Sequence, residues 1–553
     1  MDMEKSFKLP YEPPAKYAKK VAYMSMEFAI DQALKTYSGG LGYLAGSHMR
    51  SAYQLKQNLV GIGMLWRCGY YDQERDGHGN MVAQFRRKYY TFLKDTGIVV
   101  DVIIKDTVVK VKALYLDPSI FGTVPMYFLT TDFAANDGLS RSIMNQLYHP
   151  NDATRVAQSI VLGIGGAKVM EELGGVDLYH INEAHALPVA FHLLSKYGSV
   201  AESKKHLVFT THTPEMAGNS VMHIQLLNEM GFFGTNSLEK VREVTGMTGD
   251  HFEYTPAALR MSYLSNGVSK LHGEVAREMW QNYAGICMIK SITNAQDEKY
   301  WTDPILKKAL EDNDDDTLIT RKKELKKLLF RVVADQEGDL FDENIFTIVW
   351  ARRFAGYKRP DLILRDYERF VKLLQNTKFP VQIIWAGKPY PFDQSGMNQF
   401  NFMTNLSYKN PNISVLTGYE LGISAILKKG ADIWLNTPRR PQEASGTSGM
   451  TAAMNGAINV STNDGWIPEY AVDKENAFIV PEADTTMSFD DQDNHDNYYL
   501  MSLLENEIIP MYYEKPEQWL QMMKNSMQSV TPTFDSKRMA DEYYDKLYNQ
   551  DVI

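Results

Sequence analysis

Short runs of aliphatic, β-branched and aromatic residues recur along the chain, each closed by polar residues and separated from the next by a longer stretch of helical periodicity. In the first half they are VAYMSMEF, VVDVIIK, PMYFLTT, LYHINE and HLVFTTHT; in the second they are IFTIVWARRF, VQIIWAGK, ISVLTGY, ADIWLNT and INVST. Their apolar character is nearly continuous rather than alternating. That is the pattern of strands covered on both faces, and strands alternating with helices predict parallel sheets in an α/β fold. The runs form two groups, one before about residue 215 and one after about residue 344, with mostly helical sequence between.

Two doubly wound domains are the economical expectation, residues 1–265 and residues 266–515, with the boundary near Asn266. The stretch 516–553 reads as helical and is expected to pack back on the first domain. Leu310 to Val333 passes from acidic EDNDDD into RKKELKKLLFRVV, which predicts a helix start followed by an amphipathic helix whose charges face water. Ligands of doubly wound sheets sit outside the carboxyl ends of the strands, so the chemistry is expected there, in a cleft between the domains.

Composition narrows the function. The 553 residues exceed what one core supports, and 44% hydrophobic with 23% charged residues is an ordinary globular balance. A net charge of -10 disfavours partners that need a basic face, so neither nucleic acid nor an anionic membrane is expected. Cys68 and Cys287 lie far apart, without disulfide or zinc-type spacing. The first twenty residues lack a signal-peptide core, and no apolar run approaches the roughly 20 residues that span a bilayer. A cytoplasmic protein is the expectation.

Several segments could carry chemistry. The glycines of Tyr37-Ser38-Gly39-Gly40-Leu41-Gly42-Tyr43-Leu44-Ala45-Gly46 would let backbone N–H groups approach a sugar or an anion, or would serve tight packing alone. The run Arg352-Arg353-Phe354-Ala355-Gly356-Tyr357-Lys358-Arg359 puts four cations at the carboxyl end of a strand, a phosphate clamp in which Arg353 and Lys358 are the candidates; surface cations are the alternative. In Pro441-Gln442-Glu443-Ala444-Ser445-Gly446-Thr447-Ser448-Gly449-Met450 a small-residue loop offers donors, and Glu443 could grip sugar hydroxyls or merely cap a helix. His180-Ile181-Asn182-Glu183-Ala184-His185 and Thr211-His212-Thr213-Pro214-Glu215 end strands, where a histidine can bind a hydroxyl or sit satisfied in the core. His185, His212 and Glu215 lack the spacing of zinc motifs, so no metal is expected.

Taken together, YSGGLGYLAGSHMRSA, INEAHALPVAFHLL, FTTHTPEMAGN, LSNGVSKLHGEV, WARRFAGYKRP, IIWAGKP, LNTPRRPQEASGTSGM and AAMNGAINVSTNDGW resemble, in one colinear order, the short type of α-glucan phosphorylase. The resemblance implies a GT-B fold of two Rossmann-like domains. It also implies phosphorolysis: inorganic phosphate releases α-D-glucose 1-phosphate from glycogen or maltodextrin with retention. By motif position, Arg353 and Lys358 match the phosphate-binding pair, and Glu443, Ser445 and Gly446 match contacts to the glucosyl group. His212 matches the residue supporting the glucosyl ring, and Gly40 and Leu41 match the glycine-loop contacts. Glu183, His185 and Asn266 fall in substrate-side motifs, while Tyr419, Thr447 and Thr451 fall beside the pyridoxal phosphate of the family. Homo-oligomerisation stays open.

One position departs from the family. The lysine that holds pyridoxal phosphate as a Schiff base is here Thr451, and no lysine lies between Lys429 and Lys474. Threonine cannot form an imine. Three possibilities remain: a phosphorylase that binds the cofactor without covalent attachment, a retaining glucosyltransferase that uses a nucleotide sugar, and a glucan-binding pseudoenzyme. Related synthases share an Arg-x4-Lys pair, but their second carboxylate would fall at Thr451 and their lysine before the glycine pair at Tyr37, so both markers are missing.

Overall fold

A computed structural model describes residues 8–550. The chain packs as two compact units: the described part of residues 1–71, 85–297 and 536–553, and residues 72–84 with 298–535.

The first unit is built on a nine-stranded sheet. Its order runs Met288–Ser291, Leu264–Gly267, Leu207–Thr210, Leu178–Asn182, Val21–Met24, Leu59–Met64, Met126–Thr130, Thr107–Leu116 and Lys94–Ile104. The first seven are parallel and most are buried along their length, as near-continuous apolar runs require. Numbered by their place in the chain and read back from Met126–Thr130, the parallel strands run 3-2-1-4-5-6-7, so the order reverses between Val21–Met24 and Leu178–Asn182. The last two strands form an antiparallel hairpin. Here VVDVIIK departs from expectation: Val100, Val102 and Ile104 are buried while Val99 and Ile103 are exposed, because an edge hairpin covers only one face.

The domain boundary also differs from the expected one. Leu264–Gly267 pairs with Leu207–Thr210, and Met288–Ser291 adds beside it, so the first unit continues to Asp297 rather than ending near Asn266. Of the stretch expected to pack back on this unit, only its end does so. The helix Pro516–Phe534 belongs to the second unit; Met539, Tyr543, Tyr544, Leu547 and Tyr548 join the first-unit core around Val21, Tyr23 and Leu178.

The second unit holds a six-stranded, wholly parallel sheet. Its order is Ile413–Leu416, Val381–Ala386, Phe346–Ala351, Ile433–Asn436, Ile458–Thr462 and Ala477–Val480. In chain order this is 3-2-1-4-5-6, the dinucleotide-fold arrangement, whose reversal lies between Phe346–Ala351 and Ile433–Asn436. An antiparallel hairpin from the first half of the chain, Asp72–Arg75 with Met81–Gln84, packs in this unit. Gln73 fastens it, donating to the Gly387 carbonyl and accepting from the Gly418 N–H, both at 2.9 Å.

The helix Asp315–Glu337 starts and stops as its sequence dictates, with the Asp314 side chain capping Thr317 N–H and Gly338 closing it at φ 79°. Not all of its cations face water. Lys322 is buried and donates to the carbonyls of Lys429 and Asn455, both at 2.9 Å, and Lys326 pairs with Asp432 at 2.6 Å.

Candidate active site

In the first unit, the residues that follow the two strands at the reversal point converge on main-chain donors. Glu27 follows Val21–Met24 and is buried. Its carboxylate accepts the N–H groups of Ser38 and Gly39 at 2.7 and 3.0 Å, the Ser38 hydroxyl at 3.0 Å, and the Tyr148 hydroxyl. This fixes the loop that opens the helix Gly40–Gln54. The glycines there divide by role. A Cβ on Gly42 would meet Tyr37 Cβ at 2.7 Å, and one on Gly46 would meet the Ala29 carbonyl at 2.0 Å, so both serve packing. A Cβ on Gly39 or Gly40 would meet nothing within 4 Å. The backbone before Leu41 is thus the part of the loop that a ligand can approach.

Glu183 follows Leu178–Asn182 with a left-handed φ of 66°. Its side chain accepts from Ala184 N–H at 3.1 Å, His212 N–H at 2.8 Å and the Thr213 hydroxyl at 3.3 Å. Burial raises its pKa, against these hydrogen bonds. His212 Nε2 lies 2.7 Å from Asn182 Oδ1, and the Asn182 amide nitrogen donates to Ser25 Oγ. Burial, then the neighbouring His272 and His185, lowers His212 to about 3. The ring is therefore neutral, and the network assigns its proton to Nε2, leaving the Nδ1 lone pair to accept a hydroxyl. His185 stands with its ring centroid 5.8 Å from that of Tyr148, and its Nδ1 is buried without a partner among the described residues; burial and Arg155 lower it to about 4. Two other candidates are core groups. His180 bonds Tyr548 and Thr210 on its two nitrogens, and fully buried Asn266 accepts from Thr210 and donates to the Gly267 carbonyl.

In the second unit, the reversal point gathers charge. Arg352 and Lys358 follow Phe346–Ala351, and both approach Glu443, which lies in the loop between Ile433–Asn436 and the helix Ser448–Ala453. Lys358 Nζ and Arg352 Nη2 share Glu443 Oε2, the latter at 3.2 Å. Burial would push Glu443 up, but Lys358, Arg352 and Arg353 outweigh it and hold the carboxyl below its ordinary value. Arg353 itself is exposed. Of these two arginines the buried one is Arg352, whose Nε and Nη1 have no partner among the described residues. Two unmet donors on a buried guanidinium are costly, and an oxyanion is the group that satisfies them. Gly446, at φ 75°, lies against this guanidinium: a Cβ there would be 3.6 Å from Arg352 Nη2. Arg359 is spent on Asp493 and Asp496.

Around this centre Tyr419 OH reaches the Ala351 carbonyl at 3.3 Å. Ser445 Oγ turns to the Gly446 carbonyl, and Thr447 is the first residue before the helix Ser448–Ala453. Sequence reasoning gave Arg352 no role of its own, although it is the first residue past the strand. It also passed over Glu27 and Asp464, single acids in loops that hold main-chain N–H groups, Glu27 with the Ser38 and Tyr148 hydroxyls as well.

The two sets fall in motifs spread over the whole chain, and their likeness extends to known proteins. The carbohydrate phosphorylase family profile matches residues 247–503. A maltodextrin phosphorylase of Thermococcus litoralis is 34% identical over 596 residues, covering 97% of this chain and 71% of that one. The chain belongs to the carbohydrate phosphorylase family. A glycogen phosphorylase of Aquifex aeolicus is 30% identical over 97% of the chain and 87% of its own length. An uncharacterized protein of Methanocaldococcus jannaschii is 47% identical over 96% of this chain and all of its own. The mixed α/β architecture with parallel sheets agrees with the GT-B fold of these phosphorylases. Among the described residues no helix is long and apolar enough to cross a membrane.

Phosphorylases usually use pyridoxal phosphate. Thr451 is fully buried in the helix Ser448–Ala453, and its hydroxyl donates to the Ser448 carbonyl at 3.0 Å. The residues therefore do not fit a Schiff-base cofactor at this position, although Arg352 fits an anion.

Proposed function

We propose that this phosphorylase is an α-1,4-glucan phosphorylase, transferring the terminal glucosyl group of glycogen or maltodextrin to inorganic phosphate. Both substrates are named in relatives of the chain. The observation that carries the proposal is the buried Arg352–Lys358–Glu443 cluster, with two Arg352 donors still unmet.

In the proposed reaction a phosphate oxygen bonds to C1 of the glucosyl group as the bond from C1 to the glucan O4 breaks, and O4 takes the proton that the hydrogen phosphate gives up. Configuration at C1 is retained, giving α-D-glucose 1-phosphate. Arg352 and Lys358 turn from Glu443 toward the phosphate, holding its charge at fixed distance where water is excluded. Glu443, freed of its cations, faces the glucosyl hydroxyls and the positive charge that develops at C1. By motif position the first unit's own candidates for binding glucan hydroxyls are neutral His212, whose Nδ1 can accept one, and the Gly39–Gly40 backbone. No step requires an imine at position 451.

The test is release of glucose 1-phosphate from maltodextrin and phosphate, with and without added pyridoxal phosphate. Release is expected, and the purified protein is expected to lack visible Schiff-base absorbance. Failure to release product in either condition would sink the proposal, and extension of maltodextrin from a nucleotide sugar would replace it with a synthase. Thr451→Lys, loaded with pyridoxal phosphate, is expected to gain an absorbance band.

A further inference from the structure

Asp464, a buried carboxylate beside Glu443, has no part in the reaction as written. It lies just past the strand Ile458–Thr462 and is fully buried. Its Oδ2 accepts the main-chain N–H of Glu443 at 2.9 Å, and its Oδ1 accepts that of Gly465 at 2.8 Å. Two residues on, Trp466 N–H donates to the Ser445 carbonyl at 3.0 Å. Residues 464–466 are thus laced to residues 443–445 at both ends. Gly465 permits the contact: at φ 61°, a Cβ would stand 2.2 Å from the Ser445 oxygen and 3.2 Å from Glu443 Cγ.

We infer that Asp464 is a positioning residue for Glu443, fixing as a carboxylate the main chain from which the Glu443 side chain meets Lys358 and Arg352. Its reaction role rests on the phosphorolysis proposal; its grip on the Glu443 backbone does not. The charged groups facing Asp464 are the like-charged Glu443 and, opposing it, Arg440, which is itself paired with Glu482. Burial pushes Asp464 up to about 7, while the Glu443 and Gly465 N–H groups favour its charged form. Each carboxylate oxygen accepts one N–H, so protonation turns one of the two acceptors into a hydroxyl, and the lacing at Glu443 loosens below neutrality.

Two measurements on the full chain test this. In phosphorolysis, Asp464→Asn is expected to lower kcat about 10²-fold with KM for maltodextrin little changed. The acid limb of kcat near pH 7 in the parent should vanish in the variant. In amide hydrogen exchange, corrected for intrinsic rates, residues 443–446 of the parent should be protected at pH 8 and lose protection at pH 6; the variant should be unprotected at both. An unchanged acid limb in Asp464→Asn, or parent exchange that is the same at pH 6 and pH 8, would overturn the inference. If the parent shows no phosphorolysis, the function proposal falls and the exchange measurement alone decides the positioning role, with no variant needed.

Discussion

The two sheets reverse their strand order in the same way, yet the residues at the two reversal points solve opposite problems. In the first unit each acid is spent on backbone donors: Glu27 on Ser38 and Gly39, and Glu183 on Ala184 and His212. The histidine there is neutral. In the second unit the donors are Arg352 and Lys358, and a single carboxylate, Glu443, faces both. The first unit offers uncharged donors and acceptors, suited to telling one hydroxyl from another; the second holds excess positive charge, suited to an anion. Shared topology fixes where a site lies and leaves its charge to the loops.

This contrast can be broken experimentally, most sharply at Arg352. Arg352→Ala should lower kcat/KM for phosphate about 10³-fold in a phosphorolysis assay, with weaker effects on maltodextrin KM. A neutral result would remove the anion site from the second unit. Next in size is acid sensitivity. His48 and His212 are lowered to about 3, and His185 and His272 to about 4, in each case mainly by burial. All four lie in the first unit. Their unfolded forms take up protons below about pH 6.5 while the folded forms do not, so their stability is complete above that pH and is lost as pH falls toward 4. The loss is about 1.4 kcal/mol per pH unit for each histidine. Hydrogen exchange should therefore show first-unit segments opening first on acidification, and His48→Phe should flatten that response.

Smaller effects probe the backbone ties. Glu27→Ala strands two main-chain N–H groups, and a loss of about 1–3 kcal/mol is expected in urea unfolding. Equal stability would mean that the glycine loop needs no carboxylate. Gln73→Ala should cost least, about 1 kcal/mol, read as faster exchange in the Gly387 and Gly418 loops.

Much of this was legible in the sequence. Nearly continuous apolar runs such as IFTIVWA and VQIIWA declared their strands because both faces are covered, and eight colinear motifs pointed to the family. Several strands escaped notice: LSNG, MIKS, AFIV and the glycine-bearing LVGIGM are short or small and form because neighbours already in the sheet supply partners, while TVVKVKALYL buries mainly alternate residues and so lacks a continuous apolar run. The same deficit hid the extent of the first unit. Arg352 could not be told from Arg353 by type, since only burial separates them. Asp464 left no signal, because a carboxylate that binds backbone N–H groups has no side-chain partner whose spacing would betray it.

The segment Ser536–Tyr548 has a consequence for how the protein comes into being. Tyr543, Tyr544 and Tyr548 close a core begun by Val21 and Tyr23, more than five hundred residues earlier. A chain leaving the ribosome therefore carries an unsealed aromatic seam until Tyr548 has emerged, and a nascent chain halted before residue 536 would expose His180 and Tyr23 to chaperones and proteases.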